Sequence, residues 1–380
     1  NAAINIEGTG AYIDVYNNSI NNMKGNGTGN NPTNQLFGIR MSTSSGGNTI
    51  SVRNNTIHTL LHTSDTTKSG QTHEPVGIIF AGGTAGQTVN IFNNKIYNIQ
   101  SNCTGTTDTG STAPIVSGIK ITAGGASLNI YNNSISLATQ TGTPTRLYGI
   151  NNLLTDGSRI YYNSVYIAGS ATGSSPNTVS YAFYRTASGR TVVRNNIFYN
   201  ARTGGARNMA IGNNNLNWTD TTSNYNLLVA NSAAECGDYM TNLGLDFATW
   251  KSTTLGDANS SYGTTANIPS ANLFTATATA DLSVVTAQQV AWSVSGQGTP
   301  VLSPSIGTDI LGGVRSTTLP GGSTDLGAYN VTPSVDPSPV TASGPPANST
   351  TTTYIYNGRV LGSIDWGAGG TVPSGVTFTY

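Results

Sequence analysis

Apolar and polar residues alternate in short runs along this chain, and the runs break at a recurring pair of asparagines. The motif apolar–x–Asn–Asn–x–apolar stands at Val15–Ile20, Val52–Ile57, Ile91–Ile96 and Ile130–Ile135. Degenerate copies follow at Ile160–Val165, at Val193–Asn196 and at Asn224–Leu227. Around each pair the period is two, as in Ile130 and Asn132 against Tyr131, so short strands with one inward face are predicted. A second marker precedes each later copy: Phe37-Gly38-Ile39, Val76-Gly77-Ile78, Ser117-Gly118-Ile119, Tyr148-Gly149-Ile150 and Tyr181-Ala182-Phe183. Two markers in phase define a repeat of three strands, two turns and a polar loop.

A unit this small cannot bury its own apolar face, but stacked copies can. The expected class is all-β, a right-handed parallel β-helix (solenoid). A β-propeller would need hairpin turns and longer units than the shorter repeats supply. Stacking places Ile20, Ile57, Ile96, Ile135 and Val165 in one buried row. It places Asn18, Asn55, Asn94, Asn133, Asn163 and Asn196 at one corner, where Asn tolerates left-handed backbone and stacked amides bond each other. The glycine of the second marker marks a close backbone approach or a bulge.

Four segments are expected. Residues 1–230 are the repeats, and 231–330 are the final coils and C-terminal cap, with a short amphipathic helix around Leu245–Lys251 burying Leu245, Phe247 and Trp250. Residues 331–353 are a Pro/Ser/Thr linker. Residues 354–380 regain strand character through Tyr354, Ile355, Tyr356, Val360, Ile364, Trp366, Val376, Phe378 and Tyr380, either as a donor segment or as the start of a truncated domain. So short a strand group is marginal alone and must pack on something.

Composition narrows the classes. Only 8% of the 380 residues are charged, with 16 basic and 16 acidic side chains, and there are 46 glycines. Zero net charge removes the electrostatic footprint of a nucleic-acid binder, and no apolar run is long enough for a transmembrane helix. The charge is unevenly placed. Residues 1–207 carry 13 basic and 6 acidic side chains, net +7, and residues 208–380 carry 3 and 10, net −7. That asymmetry favours head-to-tail association. Cys103 and Cys236 allow one bridge or two free thiols. The chain opens at Asn1 without an initiator Met, as a processed chain or a fragment would.

The repeats resemble those of secreted bacterial right-handed parallel β-helix proteins of pectate-lyase-like fold. Ser223–Leu228, Phe247–Trp250, Asp257–Ser260 and Asp281–Val284 are similar to the closing coils of such proteins. Thr308–Arg315 followed by Asp325-Leu326-Gly327-Ala328-Tyr329 resembles their terminal signature, with one extra residue between Asp309 and Arg315. The resemblance covers about residues 1–330. It implies a fold and a cell-surface or extracellular setting, but not an activity, because such proteins include lyases, hydrolases, adhesins and surface proteins.

Chemistry-bearing residues are sparse. The acids of the repeat body, Glu7, Asp14, Asp65, Glu74, Asp108 and Asp156, form no sequence pair or shared repeat phase, so no catalytic residue is assigned. His58, His62 and His73 cluster in the second variable loop near Asp65 and Glu74, a weak set of metal ligands without a recognised spacing. No cofactor is expected. Asn17, Asn54 and Asn132 precede x-Ser/Thr but sit in the turns, so they serve turn geometry rather than glycan attachment. Eighteen tyrosines on a solenoid offer surfaces for sugars. The expected function is a non-enzymatic extracellular structural protein. It would be a subunit of a surface filament or adhesive fibre, self-associating head-to-tail by strand addition, with neither nucleic acid nor membrane insertion. The alternative is a carbohydrate-active β-helix enzyme or a glycan-binding surface protein.

Overall fold

The computed structural model describes residues 2–7, 12–27, 33–42, 47–64, 72–102, 114–122, 124, 126–141, 144–153, 157–172, 178–186, 190–216, 218, 222–316, 323–335, 351–356 and 359–365. The chain winds into a parallel β-solenoid in which seven successive coils each give one strand to each of three sheets. Sheet A runs from Ala2–Ile6 through Thr33–Ser42, Thr72–Gly82, Ile115–Ile121, Arg146–Asn152 and Val179–Arg185 to Arg207–Asn213. It ends in the antiparallel pair Gly237–Tyr239 and Asn242–Leu245. Sheet B stacks Tyr12–Tyr16, Thr49–Arg53, Gln87–Phe92, Ala126–Tyr131, Ser158–Tyr161, Thr191–Arg194 and Ser223–Asn224. Sheet C stacks Ser19–Gly27, Thr56–Ser64, Lys95–Ser101, Ser134–Leu137, Ser164–Ile167, Ile197–Asn200 and Leu227–Ala230, and closes with Ser261–Thr264.

Register follows the repeat. Ile20, Ile57, Ile96, Ile135 and Val165 pair in sequence and continue into Phe198 and Leu228, all buried in one continuous core. The marker glycines explain themselves against this row. A Cβ on Gly118 would lie 2.5 Å from Ile135 Cγ2, and one on Gly149 would lie 2.2 Å from Val165 Cγ1. The β-branched partner and the carbonyl of the next coil, Gly149 O at 2.7 Å and Ala182 O at 2.5 Å, together leave room only for hydrogen. In the next two coils the partner positions hold Phe198 and Leu228, which have no β-branch, and the marker positions hold Ala182 and Ala210.

The Asn pair divides its labour. The first residue, Asn17, Asn54, Asn93, Asn132, Tyr162, Asn195 or Tyr225, takes left-handed backbone with φ of 52–60°. The second forms the ladder. Asn133 Nδ2 donates to Asn163 Oδ1 at 3.0 Å, and the same oxygen accepts the Asn133 N–H at 3.1 Å. Identical pairs of bonds link Asn18, Asn55, Asn94, Asn163, Asn196 and Asn226.

The helix is displaced from its expected place. It spans Phe247–Thr254, capped by Asp246, while Leu245 ends a strand. Trp250 is fully buried and closes the core at this end, with Leu245 and Phe247 half-buried beside it. Asp257 terminates the ladder below it. Its carboxylate accepts from Asn226 Nδ2, Ser223 Oγ, Ser260 Oγ and Trp250 Nε1.

Beyond Thr264 the chain stops adding coils and runs back along the outside of the solenoid. Ile268, Leu273, Phe274, Leu282, Leu326 and Tyr329 form a second core against the outer face of sheet C, on Tyr166, Ile197, Tyr199, Leu227 and Val229. The final coils expected over 231–330 are therefore a closing coil and cap followed by this return segment. Thr351–Tyr356 and Arg359–Asp365 form an antiparallel pair, and among the described residues each pairs only with the other. That places Tyr354, Ile355, Tyr356, Val360 and Ile364 in strands. Trp366, Val376, Phe378 and Tyr380 lie outside the described residues, as do most of the linker and Cys103. Cys236 is a free, buried thiol, which burial pushes up in pKa.

Candidate functional site

The three outer faces differ in what they offer. On sheet A, Tyr148, Tyr181 and Tyr184 pack ring to ring, with centroids 4.6–5.9 Å apart. Tyr181 donates to Asp238 Oδ2 at 2.6 Å, and Arg207 Nε donates to the same oxygen at 2.9 Å. Burial, and then the Asp238 charge, push the Tyr181 phenol far up, while burial takes Tyr148 to about 12. Phenols held protonated in this way make poor bases at neutral pH. Nearby, Lys120 pairs with the fully buried Glu74. This face is an internal polar–aromatic seam.

The corner and sheet C from the fourth coil onward are covered by the return segment, and the terminal signature supplies the fastening. Arg315 Nη2 donates to Asn132 Oδ1 at 3.2 Å and to the Gly327 carbonyl at 2.8 Å, and its guanidinium lies over the Tyr162 ring. Burial lowers the Arg315 pKa to about 10. Asn195 exchanges two bonds with the Thr299 backbone, and Ser164 Oγ accepts the Ala328 N–H. Gly327, at φ 77°, lies where a Cβ would be 2.5 Å from Ser164 Oγ. Asp309 and Asp325 use their oxygens on loop N–H groups of Leu311, Gly313, Asn330, Gly296 and Val331.

Sheet B is open over its early coils, whereas Tyr161 is buried with Val301 and Ile306 of the return segment, and Tyr131 and Val192 pack against that cluster. One row holds Tyr16, Arg53, Phe92, Tyr131, Tyr161 and Arg194 in register. Phe92 and Tyr131 stack at 4.7 Å, and Arg53 lies 4.4 Å from the Tyr16 ring centre while gripping Asp14 at 2.7–3.2 Å. Beside this row a cleft of about 620 Å³ is lined by Ser127, Ser158, Arg159, Arg190, Val192 and Ser303, among others.

The histidines part company. His58 and His62 lie on the sheet C strand Thr56–Ser64, and His73 lies on the sheet A strand Thr72–Gly82, so none of them occupies the loop expected for them. The His58 ring stacks on Tyr97, 4.7 Å between centres, with Nδ1 2.9 Å from Thr59 Oγ1. His62 is buried, and the His73 side chain lies outside the described residues. Among the described residues no three His, Cys, Asp or Glu side chains are grouped to hold a metal ion.

Sequence reasoning missed the cleft, Arg202 and the role of Asp257 in ending the ladder. Arg202 is fully buried, its Nε, Nη1 and Nη2 find no hydrogen-bond partner among the described residues, and burial lowers its pKa to about 10. A lone Arg after a strand carries no sequence signal of burial. The return segment did have a signal: Ile197-Phe198-Tyr199 and Leu227-Leu228-Val229 are apolar on both faces.

No family model matches the chain, and no curated protein or solved structure is a match.

Proposed function

We propose that this protein is a non-catalytic extracellular scaffold of the right-handed parallel β-helix type, akin to secreted bacterial proteins of pectate-lyase-like fold, and that it self-associates by strand addition into a surface filament. One observation carries this reading. Among the described residues, the first coil leaves Ala2–Ile6, Tyr12–Tyr16 and Ser19–Gly27 as edge strands of all three sheets, while Thr351–Tyr356 and Arg359–Asp365 pair only with each other. Ile4, Ile13, Val15 and Met23 on that first coil are only partly buried. Unpaired edges beside apolar side chains are templates for a further strand. The basic repeat body and acidic C-terminal half favour a head-to-tail contact, and a heterologous contact that does not close gives a filament.

The carboxylates support a structural role. Those whose side chains are described are engaged in fold-forming bonds: Glu7 with Arg40, Asp14 with Arg53, Glu74 with Lys120, Asp238 with Arg207 and Tyr181. Glu235 bonds Ser232, Asp246 caps the helix, and Asp281 bonds Ser283. Asp257, Asp309 and Asp325 serve the ladder and the return segment as described. A glycosidase or lyase needs acids or bases with a free atom in a groove. The low Lys and high Thr, Asn and Gly content is in keeping with an extracellular setting.

A synthetic peptide spanning residues 351–365 tests the reading. Added in excess, it should occupy the edges and shorten the polymers seen by electron microscopy. Polymers unaffected by the peptide, or shortened equally by a scrambled control, would count against strand addition.

A further inference from the structure

We propose that the C-terminal cap of the solenoid is the seat for the first coil of a second copy, with Leu243 and Leu255 as its apolar contacts. This rests on the filament reading and names the surface of the neighbour that meets the open end. Terminal units of solenoids ordinarily turn a polar face to water. Here Leu243 is 50% exposed and Leu255 69%, and the helix Phe247–Thr254 between them turns Ala248, Thr249, Ser252 and Thr253 outward. Leu255 is the sharper case. It follows the helix in left-handed backbone, φ 57°, at a position that favours glycine. A leucine there is strained and exposed at once, and a second copy would cover it.

The first coil is the matching surface. Ile4, Ile13, Val15 and Met23 are only partly buried, and Tyr12 and Tyr16 are exposed. Arg53 of the second coil covers one side of the Tyr16 ring, so the other side is turned to the open end. The outlines correspond as well. At the cap, Asn242–Leu245 is the last strand of sheet A and Ser261–Thr264 the last of sheet C. The Asp257 N–H bonds the Ser223 carbonyl and the Asn259 N–H bonds Asn224 Oδ1, which continues the sheet B side without a strand. The first coil begins the same three sides with Ala2–Ile6, Tyr12–Tyr16 and Ser19–Gly27. A copy shifted along the axis therefore sets like side on like side. Only the Tyr12–Tyr16 edge then faces no strand, which leaves it for the donor strand.

Charge agrees in sign. Asp246 is exposed at the start of the cap helix. Lys24 on the first coil is exposed and outside the ion pairs of the described residues. Two leucines and a few small side chains bury too little to offset the cost of association. The seat thus fixes the direction of the contact, and the added strand holds it. Opposite ends of one chain meet, so the contact is heterologous and propagates.

The test compares the full chain with its Leu243→Glu/Leu255→Glu variant by sedimentation velocity. Both positions are exposed, so the melting temperature should not move. The concentration needed for polymers should rise by about tenfold or more. A cross-linking arm uses a Cys103→Ser background, in which Cys236 is buried. There a bismaleimide should join Leu243→Cys protein to Ala3→Cys protein in covalent dimers, and should not join Leu243→Cys protein to itself. Unchanged polymers from the double variant, or Leu243→Cys protein that joins as readily to itself, would overturn the seat and leave strand addition standing. A parent chain that stays monomeric would overturn both.

Discussion

The Arg315 guanidinium lies over the Tyr162 ring, 4.2 Å from its centre, and joins the last part of the chain to the fifth coil of the solenoid. Tyr162 stands in left-handed backbone, φ 52°, where most coils use Asn. Such backbone costs a non-glycine residue about 1–2 kcal/mol. The cation–π contact and the bond from Tyr162 Oη to the Thr299 carbonyl offset that cost. Arg315→Met should therefore loosen the return segment by about 2–4 kcal/mol, since its carbonyl and amide acceptors would be left buried. Limited proteolysis would then cut within residues 265–331 faster than in the parent, while the far-ultraviolet circular dichroism of the coils stays constant. Equal protease resistance in both proteins would contradict the fastening role.

The pairing of marker and core residue makes a double-variant prediction. Gly118→Ala alone should destabilise by about 1–3 kcal/mol, because the new methyl overpacks against Ile135 Cγ2. Adding Ile135→Leu removes the β-branch and should recover part of the loss, the 2.7 Å approach to the Gly149 carbonyl oxygen remaining. Chemical denaturation of the four proteins measures the coupling. Simple additivity of the two losses would refute it.

The ladder should be strongest in its middle. Asn133→Leu removes the acceptor of two Asn94 donors and the donor to Asn163 and to the Ile91 carbonyl. With several buried groups orphaned at about 1–3 kcal/mol each, a loss on the order of 4 kcal/mol is expected. Asn18→Leu at the open end removes only donors to Asn55 and to the Tyr16 carbonyl and should cost about 1 kcal/mol. Equal losses at the two positions would show that the ladder is not position-dependent.

Much of this was legible in the residues, for identifiable reasons. A period of two and an Asn pair repeated in phase dictate stacked strands, and stacking dictates which Asn meets which. The left-handed first position and the bonded second position could not be separated by sequence, because both are usually Asn; Tyr162 and Tyr225 tell them apart only in three dimensions. The fastening of the return segment was hidden because Arg315 and Gly327 meet Asn132, Tyr162 and Ser164, more than a hundred positions away. The cleft was hidden because Arg159 and Arg190 become neighbours only through the stacking of coils, and the Asn-Asn repeat does not mark that register step.

Arg202 gives a prediction in the opposite direction. Among the described residues its buried guanidinium has no acceptor, so the desolvation of its charge is uncompensated there. Replacing it by Met, which keeps the volume and removes the charge, should leave stability unchanged or raise it by about 1–2 kcal/mol. Thermal melting at neutral pH measures this. A loss greater than about 2 kcal/mol would mean that the guanidinium holds a partner worth more than its burial.

Assembly is the central claim, and sedimentation velocity of two proteins tests it most directly. The full chain and the chain ending at residue 350 are compared over a wide concentration range, with circular dichroism confirming that both solenoids are folded. The account predicts a growing series of polymers for the full chain and a single monomer boundary for the truncated one. A full chain that remains monomeric at high concentration, or a truncated chain that polymerises as well, would contradict it.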